Sequence, residues 1–576
     1  MPQLSPVVSI AILLGAALVG GMIAHRLRQP VILGYLIVGV ALGPYALGLV
    51  GDLVLVEAAA TMGVALLMFT LGLEVSIVQL RQVGKVGLWG GIIQILVTFA
   101  LGLAVGITLF RWSLSQAALF GLIISLSSTM ICLKILMERG ELDSMHGRIM
   151  IAILILQDIS VVLMMIVEPL LGEPVRNLLS ALGIAMGKAV LFVGIAVVSG
   201  LWVLPWLMGR VGGVRSRELF LLTVLVLCLG AALGTQIFGL SIVFGAFVIG
   251  LVLRESRFAH QALAEITPLR DIFATLFFVS LGMLLSPRFI VDNWLLVVIT
   301  VVIIILIKLL VVFGIIRFFG YGGRIALLAG AGLFQIGEFS FILAQGGIHM
   351  GIISDQFYSL ILACAIITML LTPLSMNLVS WLHPKLTLAP AGKRLVGKDV
   401  SLVPVSESSP MAHSIIIAGY GRVGQNIARG LQDASISYTV IEIDPELISE
   451  LRCSGINCIY GDASNAHVLS KVDLTKAKVL VVTYPDPLAV VTTIREALRI
   501  NPKLKIVARV HRIKEAELLK NIEGVELISP EYEASLEFLR RVLSVSGWKE
   551  VDIKQALAIM QRDREIAEFS SEEEEQ

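Results

Sequence analysis

Three ionisable side chains stand alone inside long apolar runs, where each could bind or move a charge. Asp158 lies in ILILQDISVVLMM with Gln157 beside it, and no other formal charge occurs between Arg148 and Glu168. Lys308 lies in VVIIILIKLLVV, between Asp292 and Arg317, and Glu338 in GLFQIGEFSF, between Arg324 and Asp355. A charge at mid-bilayer is costly, so ionisable residues placed this way are functional candidates. A lone carboxylate can hold either a proton or a dehydrated alkali cation, since burial favours the neutral acid and a cation the ionised one. That competition is the chemistry of cation/proton exchange. Gln157 offers a neutral carbonyl oxygen of the kind a hard cation accepts. With one acid, each turnover swaps one proton for one cation, so exchange is expected to be electroneutral.

Two runs carry the residues of discontinuous helices. In SLSSTMICLKIL, Ser125, Ser127, Ser128 and Thr129 crowd the middle of an apolar stretch, and in AGAGLFQIGEFSF, Gly330, Gly332 and Gly337 surround Gln335. Unwound backbone in a membrane is tolerated only where it lines a cavity or is buried in protein. Glu338 is expected to hold broken-helix amide ends. Lys308 is too central to snorkel to an interface; it either pairs with a carboxylate when the cation is absent or permanently braces the bundle.

A second constellation lies far along the chain. SIIIAGYGRVGQNIARGL places Gly419, Gly421 and Gly424 in GxGxxG spacing between an expected strand and helix, and Glu442 ends the next expected strand. Such glycines let backbone approach a pyrophosphate at a helix N-terminus, and the acid takes ribose hydroxyls. Arg422 in the turn, Asp444 beyond Glu442, and Asp462 and Ala463 after the third strand complete the candidate nucleotide site. The domain lacks the signs of a substrate pocket or catalytic base, which points to a sensor and not an enzyme.

These groups need two kinds of scaffold. The 576 residues are 57% hydrophobic and 15% charged, against roughly a quarter charged in an average soluble protein. This excludes a soluble enzyme, a disordered protein and a nucleic-acid binder. The average is a blend, about 10% charged through Lys385 and about 26% after it. Residues 1–385 therefore read as a membrane domain, 386–411, rich in Pro, Ser, Gly and Lys, as a linker, 412–530 as a Rossmann-like domain, and 531–576 as a helix with an acidic tail. Spans of roughly 20 apolar residues fit near 6–24, 31–48, 56–76, 86–110, 115–136, 148–171, 188–209, 218–237, 239–253, 271–286, 291–316, 325–348 and 356–382. Alternate loops hold fifteen Lys and Arg against at most four in the others, if Lys188 is counted among these. The positive-inside rule then puts the N-terminus outside and the C-terminal domain in the cytoplasm. Six spans, a linking seventh and six more suggest two inverted repeats, about 1–171 and 218–383, with the ion site at mid-membrane. In the tail, 414–418, 438–442, 456–460, 478–483 and 505–510 alternate with helical stretches, the pattern of a doubly wound α/β domain. The five cysteines have neither metal-ligand nor disulfide spacing and read as small apolar side chains.

The motifs GYLIVGVALGP (34–44), LGLEVSIVQL (71–80), SLSSTMI (125–131), LQDISVV (156–162), GAFVIGLVL (245–253), LFFVSLGM (276–283) and GEFSFIL (337–343) resemble those of the second monovalent cation/proton antiporter family, specifically its Kef-type potassium/proton antiporters. The tail resembles the TrkA-N domain that regulates potassium conductance. The likeness covers roughly 1–530. It implies a sodium/proton-antiporter fold whose core domain moves against a dimerisation domain, and a homodimer whose nucleotide domains pair. It also implies potassium and protons as substrates, with Gln157 and Asp158 in the ion-binding position and Ser127, Ser128, Thr129, Lys308 and Glu338 around it. Control by an adenine nucleotide, AMP, ATP or NAD(H), is implied as well. One stretch departs from the family: HQALAEITP (260–268), where Kef proteins carry an acid-rich cytoplasmic loop, contains only Glu265, so glutathione gating is not carried over. A bacterial inner membrane is the expected location.

Three other readings compete with a nucleotide-regulated potassium/proton antiporter. A sodium/proton antiporter of the same fold differs in its cation. A nucleotide-gated potassium channel would pass electrogenic current with no coupled proton movement. A signalling protein with a vestigial transporter would not need Asp158 and Lys308.

Overall fold

The computed structural model describes residues 6–27, 29–49, 53–74, 84–139, 141–142, 144–172, 178–213, 216–256, 258–388, 415–464, 466–469, 471–472, 474–510 and 524–570. The expected linker from 389 onward, the acidic tail from 571 and part of the 71–80 motif lie outside the described residues. The chain forms two compact units: Met1–Ile135, Arg148–Phe319 and Arg324–His383 in one, and Leu136–Gly147, Gly320–Gly323 and Pro384–Gln576 in the other.

The first half of the membrane unit consists of α1 (Pro6–Arg26), α2 (Val31–Leu42), α3 (Leu53–Glu74), α4 (Gly84–Thr108), α5 (Leu114–Ser125), α6 (Thr129–Glu138) and α7 (Met145–Val167), which ends in a 3-10 turn at Glu168–Gly172. Helix α8 (Leu178–Gly213) links it to α9 (Arg217–Ile237), α10 (Ile242–Arg254), α11 (Ala259–Met283), the short α12 (Pro287–Asp292), α13 (Trp294–Phe318), α14 (Gly323–Leu333), α15 (Phe339–His349) and α16 (Asp355–Leu388). Among the described residues, nine helices are long and apolar enough to cross a membrane. Four shorter apolar helices, in α2, α3, α10 and α14, occupy other predicted spans.

Helices α1, α2, α3, α9, α10 and α11 pack together, and α4 packs on both α5 and α13. Each six-span half thus gives three helices to one bundle, and the remaining helices gather around the chain breaks. Glycines set the first bundle's register. A Cβ on Gly39 of α2 would fall 2.1 Å from the Val279 oxygen of α11, and one on Gly250 of α10 would fall 2.2 Å from the Phe69 oxygen of α3. Backbones this close admit only glycine. The two contacts are equivalent under an inverted repeat that pairs α2 with α10 and α3 with α11. The internal sequence match is correspondingly thin: GYLIVG against GAFVIG, and TLG against SLG.

Two expectations require correction. Lys188 is no loop residue but lies ten residues inside α8, because the helix starts at Leu178 and not at 188. Residues 260–268 belong to α11 and not to a loop; Pro268 is accommodated within the helix, where Arg217 of α9 binds Glu265 at 2.6 Å.

The other unit contains a six-stranded parallel sheet of β1 (Ile415–Ala418), β2 (Tyr438–Glu442), β3 (Cys458–Tyr460), β4 (Val479–Val482), β5 (Lys505–Arg509) and β6 (Val525–Ile528), in the order 3-2-1-4-5-6. Helices α17 (Arg422–Asp433), α18 (Pro445–Cys453), α19 (Ala466–Leu469) and α20 (Pro487–Ile500) alternate with the strands, and α21 (Pro530–Val545) and α22 (Glu550–Ser570) follow. Strand β6 was not expected. Its four residues, VELI, bury little and give no alternating pattern.

Candidate functional site

The two broken spans cross at their breaks. Helix α5 stops at Ser125 and its cap residue Leu126 is extended (φ −90°, ψ 146°), before α6 restarts at Thr129. Helix α14 stops at Leu333, and α15 starts after Glu338. Gly337 makes the crossing possible, since a Cβ there would lie 2.7 Å from the Ser127 oxygen. Side chains then stitch one break to the other. Ser127 donates its hydroxyl to the Leu333 oxygen at 2.8 Å, Ser340 donates to the Ile123 oxygen at 2.7 Å, and Gln335 donates to the Cys132 sulfur at 3.0 Å.

Four interrupted helix ends meet here, each carrying roughly half a charge, negative at the C-terminal ends and positive at the N-terminal ones. Lys308 is fully buried on α13 and donates to the Leu126 oxygen and the Gln335 oxygen, each at 2.6 Å. It thereby sits on both C-terminal ends. Glu338, also buried, precedes the first turn of α15 and accepts from the Ser128 hydroxyl and the Met130 backbone N–H at the start of α6. One of its carboxylate oxygens has no hydrogen-bond partner among the described residues. The contacts of Lys308 are with main-chain oxygens at both breaks, and those of Glu338 reach Ser128 and Met130 at the start of α6.

Helix α7 places Gln157 and Asp158 beside this crossing. The side-chain oxygen of Gln157 accepts the Ser127 N–H at 2.8 Å, and its amide donates to the Gln94 oxygen at 2.6 Å. Gln94, on α4, in turn donates to the Ser125 oxygen at 3.1 Å. The carbonyl expected to face a cation is instead engaged with the broken chain. Asp158, 8% exposed, accepts from the Thr129 hydroxyl at 2.9 Å. It is the carboxylate of the group that is bound to a side-chain hydroxyl and not to main chain. Sequence reading missed Gln94; a lone amide in GGIIQILVTF was the available signal.

The glycine motif occupies the carboxyl end of β1, where the strand order reverses, the usual crevice for ligands in such sheets. Gly419 has φ +99°, and a Cβ on Gly424 would fall 2.2 Å from the Gly419 oxygen, so the turn and the close helix approach both need glycine. Arg422 opens α17. Glu442 ends β2 buried, and its carboxylate accepts from the backbone N–H groups of Tyr420, Ile443 and Asp444. Burial pushes it above the usual carboxylate range, against the pull of these three donors. Asp444 binds the Leu447 N–H at 3.5 Å and Asp462 the Ser464 N–H at 2.8 Å, so both shape turns. Ala463 is part of the apolar core, so only its backbone can face a ligand.

Residues 12–381 match the family described as sodium/hydrogen exchanger, transmembrane, and residues 415–530 match the TrkA-N domain. The cation/proton antiporter YbaL of Escherichia coli (strain K12) is 36% identical over 504 residues, covering 86% of this chain and 89% of its own length. The K(+) efflux antiporter KefB of Alkalimonas amylolytica is 32% identical over 543 residues, covering 93% of this chain and 81% of its own length. Among solved structures, the sodium proton antiporter MjNhaP1 of Methanocaldococcus jannaschii is 19% identical with a TM-score of 0.48, covering 65% of this chain and 97% of that one. The chain belongs to the sodium/hydrogen exchanger family, joining a Kef-type cation/proton antiporter membrane unit to a C-terminal TrkA-N domain.

Proposed function

We propose that this antiporter exchanges potassium for protons electroneutrally, that Asp158 alternately holds the proton or the cation, and that an adenine nucleotide on the 412–530 domain regulates it. The division of labour among the buried charges carries the reading. Lys308 and Glu338 are bound to backbone groups of the crossing, whereas Asp158 is held by one hydroxyl. Exchanging that hydroxyl's proton contact for a cation leaves the scaffold intact, because the helix ends are compensated separately. Thr129 can turn its oxygen toward the cation, and the nearby backbone and water complete the oxygen set that a hard ion needs. Gln157 acts by fixing the break beside Asp158. With a single exchanging acid, one proton leaves for each cation bound.

Potassium is the cation in the name of the relative KefB, and the single acid of the Gln157-Asp158 pair agrees with electroneutral exchange. The nucleotide would rest its phosphates on the Gly419–Gly424 turn and its ribose against Glu442, using the N-terminus of α17. We further assign residues 1–385 to transport, 386–411 to a linker and 531–576 to a terminal helical segment, in a homodimer set in a bacterial inner membrane with its N-terminus outside.

Proteoliposomes holding the purified full-length chain test this directly. Potassium should drive proton movement without a change in membrane potential, and AMP, ATP or NAD(H) should alter its rate. Sodium-driven exchange with no potassium response would transfer the site to sodium. Uncoupled potassium current would remove the exchange reading altogether.

A further inference from the structure

Lys188 lines a cavity that the transport site does not use. The cavity, about 320 Å³, lies between the 3-10 turn after α7, helix α8 and the turn joining α9 to α10. Its walls include Ile166, Leu170, Ile184 and Leu240, and Lys188 is the single charged residue among them. Gly239, at φ +69°, borders that side chain: a Cβ there would be 3.6 Å from the Lys188 ammonium, an ordinary contact. The one carboxylate on the facing turn, Glu168, is directed elsewhere, with an oxygen 2.2 Å from where a Cβ of Gly346 would be. Lys188 is exposed and, among the described residues, has no ion-pair partner.

Depth and pattern define what could neutralise it. The apolar stretch of α8 begins at Leu182, so Lys188 lies about 9 Å along the helix from its outer end, at 1.5 Å per residue. An extended lysine side chain spans most of that depth and brings its ammonium to headgroup level. Below it, Leu191, Ile195, Val198 and Trp202 continue one exposed apolar stripe at spacings of three and four residues. Measured from Leu182, Leu191 lies about 14 Å deep and Val198 about 24 Å, so the roughly 15 Å of one leaflet's hydrocarbon ends near Leu191 and the rest of the stripe crosses the mid-plane. The outer part of this face, from Leu182 to Leu191, therefore lies at the depth of one leaflet's acyl chains, with the lysine ammonium at its head. If a second copy packed the same stripe in parallel, two lysines would face each other at one depth, which also requires an anion between them.

We propose that this cavity is a binding site for an acidic phospholipid of the leaflet on the α7–α8 side, its phosphodiester on Lys188 and its acyl chains along α8. The inference does not depend on which ion is transported.

Native mass spectrometry of the delipidated full-length chain in detergent, titrated with phosphatidylglycerol or phosphatidylcholine, tests it. Phosphatidylglycerol should bind about five- to tenfold more tightly than phosphatidylcholine, the scale of one lysine against one lipid charge. Lys188→Gln should abolish this preference, Lys188→Arg should keep it, and Leu240→Trp should weaken it by narrowing the cavity. All variants should remain monodisperse with unchanged helix content. Equal binding of the two lipids, or a preference retained in Lys188→Gln, overturns the site. Displacement of phosphatidylglycerol by millimolar inorganic phosphate overturns the lipid assignment in favour of a free anion.

Discussion

The side-chain oxygen of Gln157 accepts the backbone N–H of Ser127 at 2.8 Å, so the residue next to the exchanging acid holds the broken chain in place. Its amide extends the tie through Gln94 to the Ser125 oxygen. One face of α7 thus carries two separable functions, a fixed bond to the crossing at Gln157 and a replaceable one at Asp158. Each should respond differently to substitution.

Asp158→Asn should abolish potassium-driven proton exchange, by at least about a hundredfold, while the chain folds normally, since the amide is isosteric and still meets Thr129. Thr129→Val removes the hydroxyl from Asp158 and should raise the potassium KM several-fold; Thr129→Ser should restore it. Gln157→Leu leaves the Ser127 N–H without its partner inside the bundle, which costs about 1–3 kcal/mol. It should appear as a lower melting temperature in detergent with the one-to-one coupling retained. A change in coupling ratio in Gln157→Leu would give Gln157 a ligand role.

Lys308 answers two helix C-termini at once. Removing it should cost about 1–3 kcal/mol for each buried carbonyl left unpaired, because the Leu126 and Gln335 oxygens would both lose their donor. Lys308→Met should therefore express poorly or melt early, and Lys308→Arg should recover much of the stability. Flux that remains should still be electroneutral, as measured with a membrane-potential dye. Potential-dependent flux in a well-folded Lys308→Met variant would show that the lysine takes part in charge balance.

Much of this arrangement was legible from rarity. Asp158, Lys308 and Glu338 stood out because so few charges interrupt the apolar runs, and Ser, Thr and Gly clusters marked both breaks. The direction of each bond was not legible, since Lys308 meets residues 182 and 27 positions away. Gln94 was hidden because an uncharged amide interrupts an apolar run only weakly. The repeat was hidden too: its two halves agree mainly at glycines, where helices touch, and lipid-facing positions need only be apolar. Lys188 was placed in a loop because a lysine ended the apolar run in sequence, whereas the helix continues through it toward the aqueous face.

Nucleotide binding should stabilise the full chain, raising its melting temperature with AMP, ATP or NAD(H) as ligand. Glu442→Gln should lose this shift by disturbing both the ribose acid and its three backbone donors. Gly424→Ala should lose it as well, since the added Cβ meets the Gly419 oxygen at 2.2 Å. Basal exchange without nucleotide should persist in any variant that keeps its fold. An undiminished shift in Glu442→Gln would place the ligand elsewhere.

The connection between α6 and α7 should carry a distinct acid sensitivity. Glu141 is nearly buried there, and burial alone would raise its carboxyl; the bonds from His146 at 3.0 Å and Arg139 at 2.8 Å outweigh that and bring it down to about 2. A carboxylate lower in the folded than in the unfolded chain contributes stability above its unfolded value and loses it as pH falls. From an ordinary value of 4.5 to about 2, the contribution is about 3 kcal/mol, fully present at neutral pH. Roughly half of it should be gone near pH 3.3 and most of it near pH 2. Glu141→Gln should therefore unfold at a lower temperature than the parent at pH 7, and the two melting curves should converge as pH falls below 4.5. A gap that stays constant from pH 7 to 3 would mean that Glu141 acts through packing and not through its charge.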